Sequence, residues 1–423
     1  MAGRVVRSTE SNELPMKILL CHNFYQQRGG EDRIFTEEAA LLETHGHDVI
    51  RFTMHNDAIQ TMGRMRLARK TIWNTASANR ICRVMRSRRP DVMHCTNIFP
   101  LISPSVYYAA RAERVAVVQW LQNFRTICPK AQFTRNGEIC EECLGKRIGW
   151  PAVLHRCYRD SFAASAVVTA MLAYHWSTKT WTRMIARYIA PTEFSRRKHI
   201  VGGLPAERID VKPNFVYETP KIGLGQGDCA VFVGRLSAEK GIQTLLAAWE
   251  KLPSHFRLKI VGDGPLRDSV RARCAGDERI TWLGWRELDE VLDIIGDAKC
   301  LVVPSTWYEG LPRTIIESYA KGTPVVASRL GAMTEVVRDG KTGILFAPGN
   351  ADDLARQLQQ FVEDRKMLAN ARRAARDEYE TRYTAEAHYR MLLSVYERAI
   401  ADRRAESHAQ GTPGSRDLAQ GNR

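Results

Sequence analysis

Short apolar runs alternate with amphipathic or polar segments along most of the chain. In the first half these runs are MKILLC (16–21), DVIRF (48–52), DVMHC (91–95), VAVVQWL (115–121) and RYIAP (187–191). Their length and composition are typical of buried β-strands. A helical pattern from Glu31 to His45, ending at Gly46, separates the first two runs. The alternation predicts an α/β protein with a parallel, doubly wound sheet.

A second series of apolar runs begins after residue 228 and follows a turn-rich segment. It comprises CAVFVG (229–234), RLKIVG (257–262), ITWLG (280–284), KCLVVPS (299–305) and PVVAS (324–328), with amphipathic helical patterns between them. These runs predict a second Rossmann-like domain. We therefore expect two doubly wound domains that face each other across a cleft, with a hinge near Asn214.

The domain boundaries follow from these patterns. We expect an amino-terminal Rossmann-like domain over 16–215, a carboxyl-terminal one over 216–380, and a terminal helix over 381–400 that packs back on the amino-terminal domain. Residues 1–15 and 401–423 are polar and contain few apolar positions, so we predict that both ends are disordered.

Composition and charge narrow the range of functions. The 423 residues suffice for two or three domains, and a hydrophobic fraction of 44% excludes wholesale disorder, collagen and a disulfide miniprotein. A formal net charge of +15 favours phosphorylated small molecules, acidic membrane surfaces or polyanions as partners. The chain has neither a signal sequence nor an uncharged apolar stretch of about 18 residues. We therefore expect an intracellular, cytoplasmic protein.

Two carboxylates follow an apolar strand in the segment STWYEGLPRTIIESYAKG. Glu309 lies in the loop directly after the predicted strand, and Glu317 lies about one turn inside the next helix. Doubly wound sheets bind ligands at the carboxyl ends of their strands. A carboxylate there can accept hydrogen bonds from the vicinal hydroxyls of a ribose or a hexose. The alternative for Glu317 is an ordinary solvated position on a helix.

Cationic and glycine-containing segments follow other strands of the same half. Arg235 and Lys240 come after the strand that begins at residue 229, where two cations would neutralise a nucleotide diphosphate. Gly331 and Ala332 precede a predicted helix, whose free amides and dipole would hold phosphate oxygens. The alternatives are ordinary surface charge for the two cations and a simple turn for the glycine.

Together these motifs resemble one family. The segments GRLSAEKG (234–241), VGDGP (261–265), the two glutamates and PVVASRLGAMTE (324–335) look like those of family-four retaining glycosyltransferases of the GT-B fold, the group 1 type. The amino-terminal half agrees, because MKILLCHNFYQQRGGED resembles that family's first strand and glycine loop, and HCTNIFPLISPSVYYAAR its acceptor-side segment. The resemblance covers nearly all of 16–400.

The resemblance implies a nucleotide-sugar donor bound by the carboxyl-terminal domain. It places Glu317 on the ribose, Glu309 near the transferred sugar, and Arg235 and Lys240 on the diphosphate. It also implies donor-binding roles for a set of small residues, namely Gly29, Gly30, Gly262, Gly331 and Ala332. Transfer would retain the anomeric configuration and deliver the sugar to a glycan or lipid-linked acceptor in bacterial surface polysaccharide assembly. No D-x-D follows an apolar strand, so we expect no essential divalent metal.

One position departs from the family pattern. Proteins of this type usually carry a histidine at the end of the strand that contains VAVVQW, where this chain has Gln122; Thr96 likewise stands where histidine is frequent. Glutamine donates hydrogen bonds but cannot take a proton at neutral pH. We expect Gln122 to position the donor sugar. The alternative is a catalytically weak GT-B scaffold that binds nucleotide sugar without transferring it. His22 and His94 either lie near the site or are buried at strand ends.

The insertion at 124–158 has no long apolar run, and it contains the cysteine pattern C-x11-C-x2-C-x13-C. Four thiolates with one C-x2-C pair suit a structural zinc ion. The predicted ligands are Cys128, Cys140, Cys143 and Cys157, and His155 is able to replace one sulfur. The alternative is a redox pair or unrelated free thiols.

Residues 61–90 are rich in basic side chains. They contain no Asp or Glu and nine Lys and Arg, interleaved with apolar residues such as Ile72 and Trp73. This pattern predicts contact with an anionic membrane surface, peripheral on the inner face of the cell membrane. A solvated helix face is the alternative. Nucleic-acid binding would explain the charge but not the two-domain motif set, so we expect no nucleic-acid partner.

Overall fold

The computed structural model describes residues 14–27 and 29–411, with side chains to residue 406. Much of both ends for which we predicted disorder lies outside this part. The amino-terminal domain contains a six-stranded parallel sheet in the order β2-β1-β3-β4-β7-β8, and a two-residue hairpin lies in the insertion. Its strands are β1 Lys17–Phe24, β2 Asp48–His55, β3 Val92–Asn97, β4 Ala116–Trp120, β5 Thr134–Arg135, β6 Glu138–Ile139, β7 Arg187–Ala190 and β8 Ile209–Val211.

Helices cover both faces of this sheet, and the central strands β1, β3 and β4 are therefore buried on both sides. They are α1 Gly30–Thr44, α2 Arg64–Ile72, α3 Thr75–Arg88, α4 Ser105–Ala112, α5 Trp150–Leu154, α6 Phe162–Ser177, α7 Thr180–Arg183 and α8 Glu193–Val201, with 3₁₀ turns at Asn56–Ile59 and Ala206–Arg208.

The carboxyl-terminal domain contains a second parallel sheet in the order β11-β10-β9-β12-β13-β14. Its strands are β9 Cys229–Val233, β10 Arg257–Val261, β11 Ile280–Gly284, β12 Cys300–Val303, β13 Val325–Ser328 and β14 Gly343–Phe346. Its helices are α9 Ile242–Trp249, α10 Arg267–Ala275, α11 Leu288–Asp297, α12 Arg313–Ala320, α13 Met333–Val336, α14 Ala351–Glu363 and α15 Arg365–Arg382, with a 3₁₀ turn at Ala238–Lys240. The predicted fold class is confirmed.

The last helix, α16 (Ala385–Gly411), returns to the amino-terminal domain and packs on β4, β7 and α1. A buried ionic cluster fixes it there. Glu38 Oε2 lies 3.1 Å from His388 Nε2 and 3.6 Å from Lys212 Nζ, and Glu38 Oε1 lies 2.9 Å from His94 Nδ1. All four side chains are buried. His94 is therefore a structural residue beneath α16, in agreement with the burial alternative.

The prediction of disorder from residue 401 is wrong for 401–411, which continue α16. The polar composition misled us because these residues bind the domain through charge and not through apolar burial. Asp402 Oδ2 accepts a 2.7 Å hydrogen bond from Arg187 Nε, and Glu406 Oε1 accepts one of 3.1 Å from Arg208 Nη2.

Candidate functional site

The donor-side candidates meet where the strand order of the carboxyl-terminal sheet reverses. Strands β9 and β12 are neighbours at this switch point, the position at which open α/β sheets bind ligands. Their two following loops touch: Gly241 has a φ of 72°, and a Cβ there would lie 1.8 Å from Pro304 O. This close approach, which glycine allows, brings Lys240 against Glu309.

Glu309 is buried and held by three donors. Its Oε1 accepts hydrogen bonds from Lys240 Nζ at 2.7 Å, Ser305 Oγ at 2.8 Å and Trp307 Nε1 at 2.8 Å. Burial alone would raise the pKa of Glu309, but the charge of Lys240 and these hydrogen bonds outweigh it, so the pKa lies below its usual value. The carboxylate is therefore ionised and fixed in direction. Sequence reasoning missed the roles of Ser305 and Trp307.

Arg235 lines a cavity of about 840 Å³ between the loops after β9 and β10. Gly262 borders it with a φ of 129°, and a Cβ there would lie 1.9 Å from Gly234 O. Gln27 of the amino-terminal domain also lines the cavity, so it opens into the cleft. Arg235 is exposed and has no carboxylate partner among the residues described. An anionic ligand would supply one.

Glu317 lies on α12, buried and turned toward the amino-terminal domain. Its Oε1 is 3.5 Å from Arg313 Nε and 4.0 Å from Arg33 Nη1. Arg313 also donates two hydrogen bonds across the cleft to Glu37 of α1, at 2.9 and 3.2 Å. Glu37 also accepts a local i,i+4 hydrogen bond from Arg33, and nothing in the sequence showed that Glu37 faces the other domain.

The glycine loop after β1 closes against the same helix. A Cβ on Gly30 would lie 3.7 Å from Arg313 Cδ, whereas one on Gly29 would meet nothing within 4 Å. Asp32 shapes the loop, since its carboxylate accepts from Gly29 N at 3.2 Å and from His22 Nε2 at 2.8 Å. His22 is fully buried and also bonds Thr96 at 2.7 Å. Its role is to position this loop.

Gly331 and Ala332 lie at the start of α13, which spans only four residues. The helix that we predicted there is therefore a single turn with a weak dipole. A Cβ on Gly331 would lie 3.0 Å from Tyr308 Cδ1, so the segment packs beside the Glu309 loop. Glu335 of this turn accepts hydrogen bonds from Glu193 N and Phe194 N, both at 2.9 Å, at the start of α8. This contact joins the two domains.

Gln122 faces the cleft from the amino-terminal side. Its carbonyl oxygen would lie 3.0 Å from a Cβ on Gly310, the residue after Glu309. Its side-chain Nε2 is buried and, within 14–27 and 29–411, has no hydrogen-bond partner. A buried amide without a partner is costly. The position suits a ligand hydroxyl that accepts this hydrogen bond.

The switch point of the amino-terminal sheet, between β1 and β3, forms a second polar cavity that sequence reasoning did not assign. Glu31 Oε2 accepts a 2.9 Å hydrogen bond from Tyr25 OH, and Glu31 Oε1 accepts one of 3.0 Å from Asn123 Nδ2. Burial raises the pKa of Glu31 despite these bonds. The cavity itself is lined by Tyr25 and Asn123, the two donors to Glu31, and by Arg125 and Asn97. The acceptor-side segment predicted from HCTNIFPLISPSVYYAAR supplies much of this wall.

The four cysteines of the insertion are all free, and they lie close enough to one another to affect the pKa values of Cys143 and Cys157. Burial and the neighbouring thiols raise the pKa of Cys143 to about 12, and they also raise that of Cys157. In the part of the chain that the structure describes, no three Cys, His or acidic side chains are placed to hold a metal ion. Structural zinc stays a prediction, which elemental analysis of the purified protein tests.

The insertion packs against the donor side. Phe124 and Phe133 form a small apolar cluster with Phe194 and Tyr308. The Phe194 and Tyr308 ring centroids are 4.8 Å apart. Because Tyr308 precedes Glu309, the insertion supports the loop that carries the donor-side carboxylate.

The basic segment 61–90 forms α2 and α3 on the outer face of the amino-terminal domain. Some of its cations have partners: Arg86 Nε donates to Glu113 at 2.8 Å, and Arg88 Nη2 to Asp48 at 3.0 Å. Arg64, Arg66 and Arg69 have no carboxylate partner among the residues placed by the structure. A search of the described helices finds none with the length and hydropathy needed to span a bilayer.

Two Rossmann-like domains that face one cleft, with the charged groups on the carboxyl-terminal side, define the GT-B architecture. Residues 227–364 match the family model described as glycosyl transferases group 1. The resemblance seen in the motifs is confirmed at this level: the carboxyl-terminal domain is similar in sequence to group 1 glycosyltransferases, and the chain has the GT-B fold.

Relatives agree with this assignment. Sulfoquinovosyl transferase SQD2 of Arabidopsis thaliana is 30% identical over 175 residues, which is 40% of this chain and 34% of that protein. The lipopolysaccharide core biosynthesis glycosyltransferase LpsE of Rhizobium meliloti is 33% identical over 139 residues, 32% of this chain and 39% of that protein. The chain thus spans between a third and two fifths of the length of these two curated relatives.

Solved structures extend the likeness to the whole fold. The crystal structure of Anabaena Alr3699/HepE in complex with UDP has a TM-score of 0.64 and 18% identity, covering 93% of this chain and 100% of that one. A glycosyltransferase from Rickettsia africae gives a TM-score of 0.64 at 16% identity, covering 91% and 99%.

Proposed function

We propose that the protein is a retaining glycosyltransferase that moves a sugar from a nucleotide sugar to a glycan or lipid-linked acceptor in surface polysaccharide assembly. The observation that carries this proposal is the Lys240–Glu309 pair at the switch point of the carboxyl-terminal sheet. Gln122 lies opposite this pair, and Arg235 lies beside it with no carboxylate partner in the described part of the chain. The UDP complex of HepE and the lipopolysaccharide role of LpsE support the donor class and the pathway class.

In this proposal the donor diphosphate lies against Arg235 and Lys240, and the ribose hydroxyls donate to Glu317. Glu309 and Gln122 orient the transferred sugar from the two sides of the cleft. The bond between the anomeric carbon and the phosphate oxygen breaks, and the acceptor oxygen bonds to the same face of that carbon. The acceptor's proton passes to the departing phosphate, whose growing charge the two cations stabilise. We propose that this transfer needs no divalent metal.

A ligand screen followed by product analysis tests the proposal. Thermal unfolding is measured with UDP-, GDP-, ADP- and TDP-sugars, since a ligand that binds the native state raises the apparent melting temperature. We expect stabilisation by at least one donor and slow release of its nucleoside diphosphate. The anomeric configuration of the transferred sugar, determined by NMR, should match that of the donor. Absence of donor binding contradicts the function, and an inverted product contradicts the retaining mechanism.

The scaffold alternative rests on Gln122. A glutamine in place of the usual histidine leaves an amide that binds a sugar hydroxyl but exchanges no proton at neutral pH. Stoichiometric donor binding with no release of nucleoside diphosphate, in the presence or absence of acceptor glycans, would favour the scaffold.

We also propose that the enzyme works at the inner face of the membrane, held there by α2 and α3. The unpaired cations on these helices support contact with anionic headgroups. Cosedimentation with phosphatidylglycerol vesicles, lost in high salt and absent with phosphatidylcholine vesicles, is the expected result. Equal binding to both kinds of vesicle would contradict an electrostatic attachment.

A further inference from the structure

A groove of about 340 Å³ lies between α2 and α6, beside the amino-terminal switch point. Its volume falls within the range of ligand pockets, roughly 300 to 1,000 Å³. Its long walls are apolar and come from two helices: Leu67 and Ala68 on α2, and Ala163, Ala164, Val167 and Val168 on α6. The proposed donor site lies in the other domain and leaves this groove unassigned.

The surface around the groove is apolar as well. Helix α6 has no Asp, Glu, Lys or Arg from Phe162 to Ser177. Phe162 at its start is 60% exposed, and Met65 on α2 is 88% exposed. Exposed apolar side chains grouped around an apolar groove mark a contact with hydrocarbon or with another apolar surface.

Cations gather at the same place without counter-charges. The Arg125 guanidinium lies 4.4 Å from the Phe99 ring centroid and 5.0 Å from that of Tyr158, and Arg159 lies 5.6 Å from the Tyr158 centroid. Arg64 lines the groove. None of these three arginines has a carboxylate within ion-pair distance among the described residues. Guanidinium groups in this setting fit a phosphate, which they bind through paired hydrogen bonds.

The groove also leads toward the donor side. Thr71 and Phe99 line both the groove and the polar cavity of the amino-terminal switch point. That cavity includes Asn123, and the adjacent Gln122 contacts the backbone beside Glu309. From the groove to the cleft, the lining therefore changes from an apolar wall to cations, then to amides, and finally to the donor site. A hydrocarbon chain, a phosphate and a sugar have the same order in a glycolipid phosphate.

We propose that the acceptor is a phosphate-bearing lipid whose hydrocarbon chain lies in the α2–α6 groove and whose phosphate binds Arg125 and Arg159. This inference rests on the proposed glycosyl transfer and names the acceptor class for it. Because the groove is apolar and its arginines are positively charged, the site is complementary to an anionic amphiphile and not to a neutral lipid or a soluble glycan.

Titration of the full-length protein with decyl phosphate tests the site, with decanol and inorganic phosphate as partial ligands. We expect decyl phosphate to bind at least about tenfold more tightly than either, because each partial ligand lacks one of the two contacts. Arg159→Ala should weaken decyl phosphate binding by about tenfold, the worth of one charge-assisted contact. Arg66→Ala, an exposed cation on α2 outside the groove, should leave the binding within about twofold.

A matched pair of substitutions on α6 distinguishes a loss of ligand binding from a loss of folding. Ala163 and Ala170 are both exposed on that helix, but only Ala163 lines the groove. Ala163→Glu should weaken decyl phosphate binding by about tenfold or more through charge repulsion, and Ala170→Glu should not. Equal losses in both variants, or equal binding of inorganic phosphate and decyl phosphate, would overturn the proposal.

Donor hydrolysis without acceptor separates this proposal from the proposed function. Arg159→Ala and Ala163→Glu should hydrolyse the donor at the wild-type rate, because neither position borders the donor site. A protein that hydrolyses the donor but does not bind decyl phosphate refutes the groove assignment alone. A protein that binds decyl phosphate but no nucleotide sugar refutes the glycosyl transfer and leaves a lipid phosphate site.

Discussion

The two sheets reverse their strand order at points that face each other across the cleft. The side chains at these two switch points nevertheless differ in charge. Between β9 and β12 the strand ends present ionised groups, Arg235, Lys240 and Glu309. On the amino-terminal side the strand ends and the loops after them present mainly hydroxyl and amide groups such as Tyr25, Asn97 and Asn123, together with Arg125. The same topology therefore makes one side suited to a diphosphate and the other to hydroxyl groups beside a single phosphate.

Glu309 and Glu31 illustrate this difference between the two switch points. Glu309 has Lys240 as its partner, and its pKa lies below the usual value although burial opposes this. Burial outweighs the hydrogen bonds that Glu31 accepts from the neutral donors Asn123 and Tyr25, so the pKa of Glu31 is raised. Whether a carboxylate at a switch point bonds a cation or a neutral donor therefore decides the direction in which its pKa shifts.

The largest expected effect comes from removing the cation at the charged switch point. Lys240→Ala should lower turnover by about 10² to 10³, or roughly 2.7 to 4 kcal/mol, because the departing diphosphate loses a fixed positive charge. Arg235→Ala should act in the same direction. Release of nucleoside diphosphate is measured alongside thermal unfolding, with Lys366→Ala on exposed α15 as control. Wild-type turnover in Lys240→Ala would place the diphosphate elsewhere.

Glu317→Ala should weaken donor binding by about 1.5 to 3 kcal/mol, because the ribose hydroxyls lose a charged acceptor. Calorimetric titration with the donor's free nucleoside diphosphate and with the intact nucleotide sugar should show equal losses, since both ligands carry the ribose. Glu397→Ala, exposed on α16, is the control. A loss confined to the nucleotide sugar would move Glu317 from the ribose to the transferred sugar.

Glu309 and Glu31 should also respond to pH with opposite sign. Glu309, with its pKa lowered from 4.5, stabilises the fold above that pH, and this contribution is lost as the pH falls through the folded pKa. Glu31, with its pKa raised from 4.5, stabilises the fold below that pH, and its contribution is lost as the pH rises through the folded pKa.

Denaturant unfolding of Glu309→Gln and Glu31→Gln between about pH 3 and 7 measures this difference, at up to about 1.4 kcal/mol per pH unit for each proton. Relative to Glu309→Gln, the wild type should lose stability toward acid. Relative to Glu31→Gln, it should lose stability as the pH rises. The same sign for both variants would remove the contrast between the two switch points.

The sequence predicts the switch point of the carboxyl-terminal sheet better than that of the amino-terminal sheet, for a physical reason. Strand periodicity places Glu309 and Lys240 at strand ends, and parallel strands bring those ends together. Short strands such as β8 and β14 were missed because three or four residues show no distinct pattern. Cross-domain contacts such as Arg313 with Glu37 depend on how the domains face each other, which local patterns do not encode.

The cap of α14 and the exposed face of α6 likewise depend on neighbouring residues that the local sequence pattern does not identify. Helix α14 is capped by Asn350, whose side chain accepts from Asp353 N at 3.0 Å, although Asp352 and Asp353 in its first turn are also of a common capping type. The groove between α2 and α6 was not predicted either, because α6 is apolar on all sides and its pattern alone shows no exposed face.

The smallest expected effect concerns Gln122, which lies where the two switch points meet. If its amide only orients the donor sugar, Gln122→Ala should lower turnover by the worth of about one hydrogen bond, ~0.5 to 1.5 kcal/mol, and Gln122→His should change it modestly. If the missing imidazole has disabled the site, Gln122→His should raise a near-silent wild type by orders of magnitude. Donor hydrolysis by all three proteins distinguishes the two cases, because an active parent impaired by alanine assigns Gln122 to donor positioning, whereas a silent parent rescued by histidine makes the natural chain a scaffold.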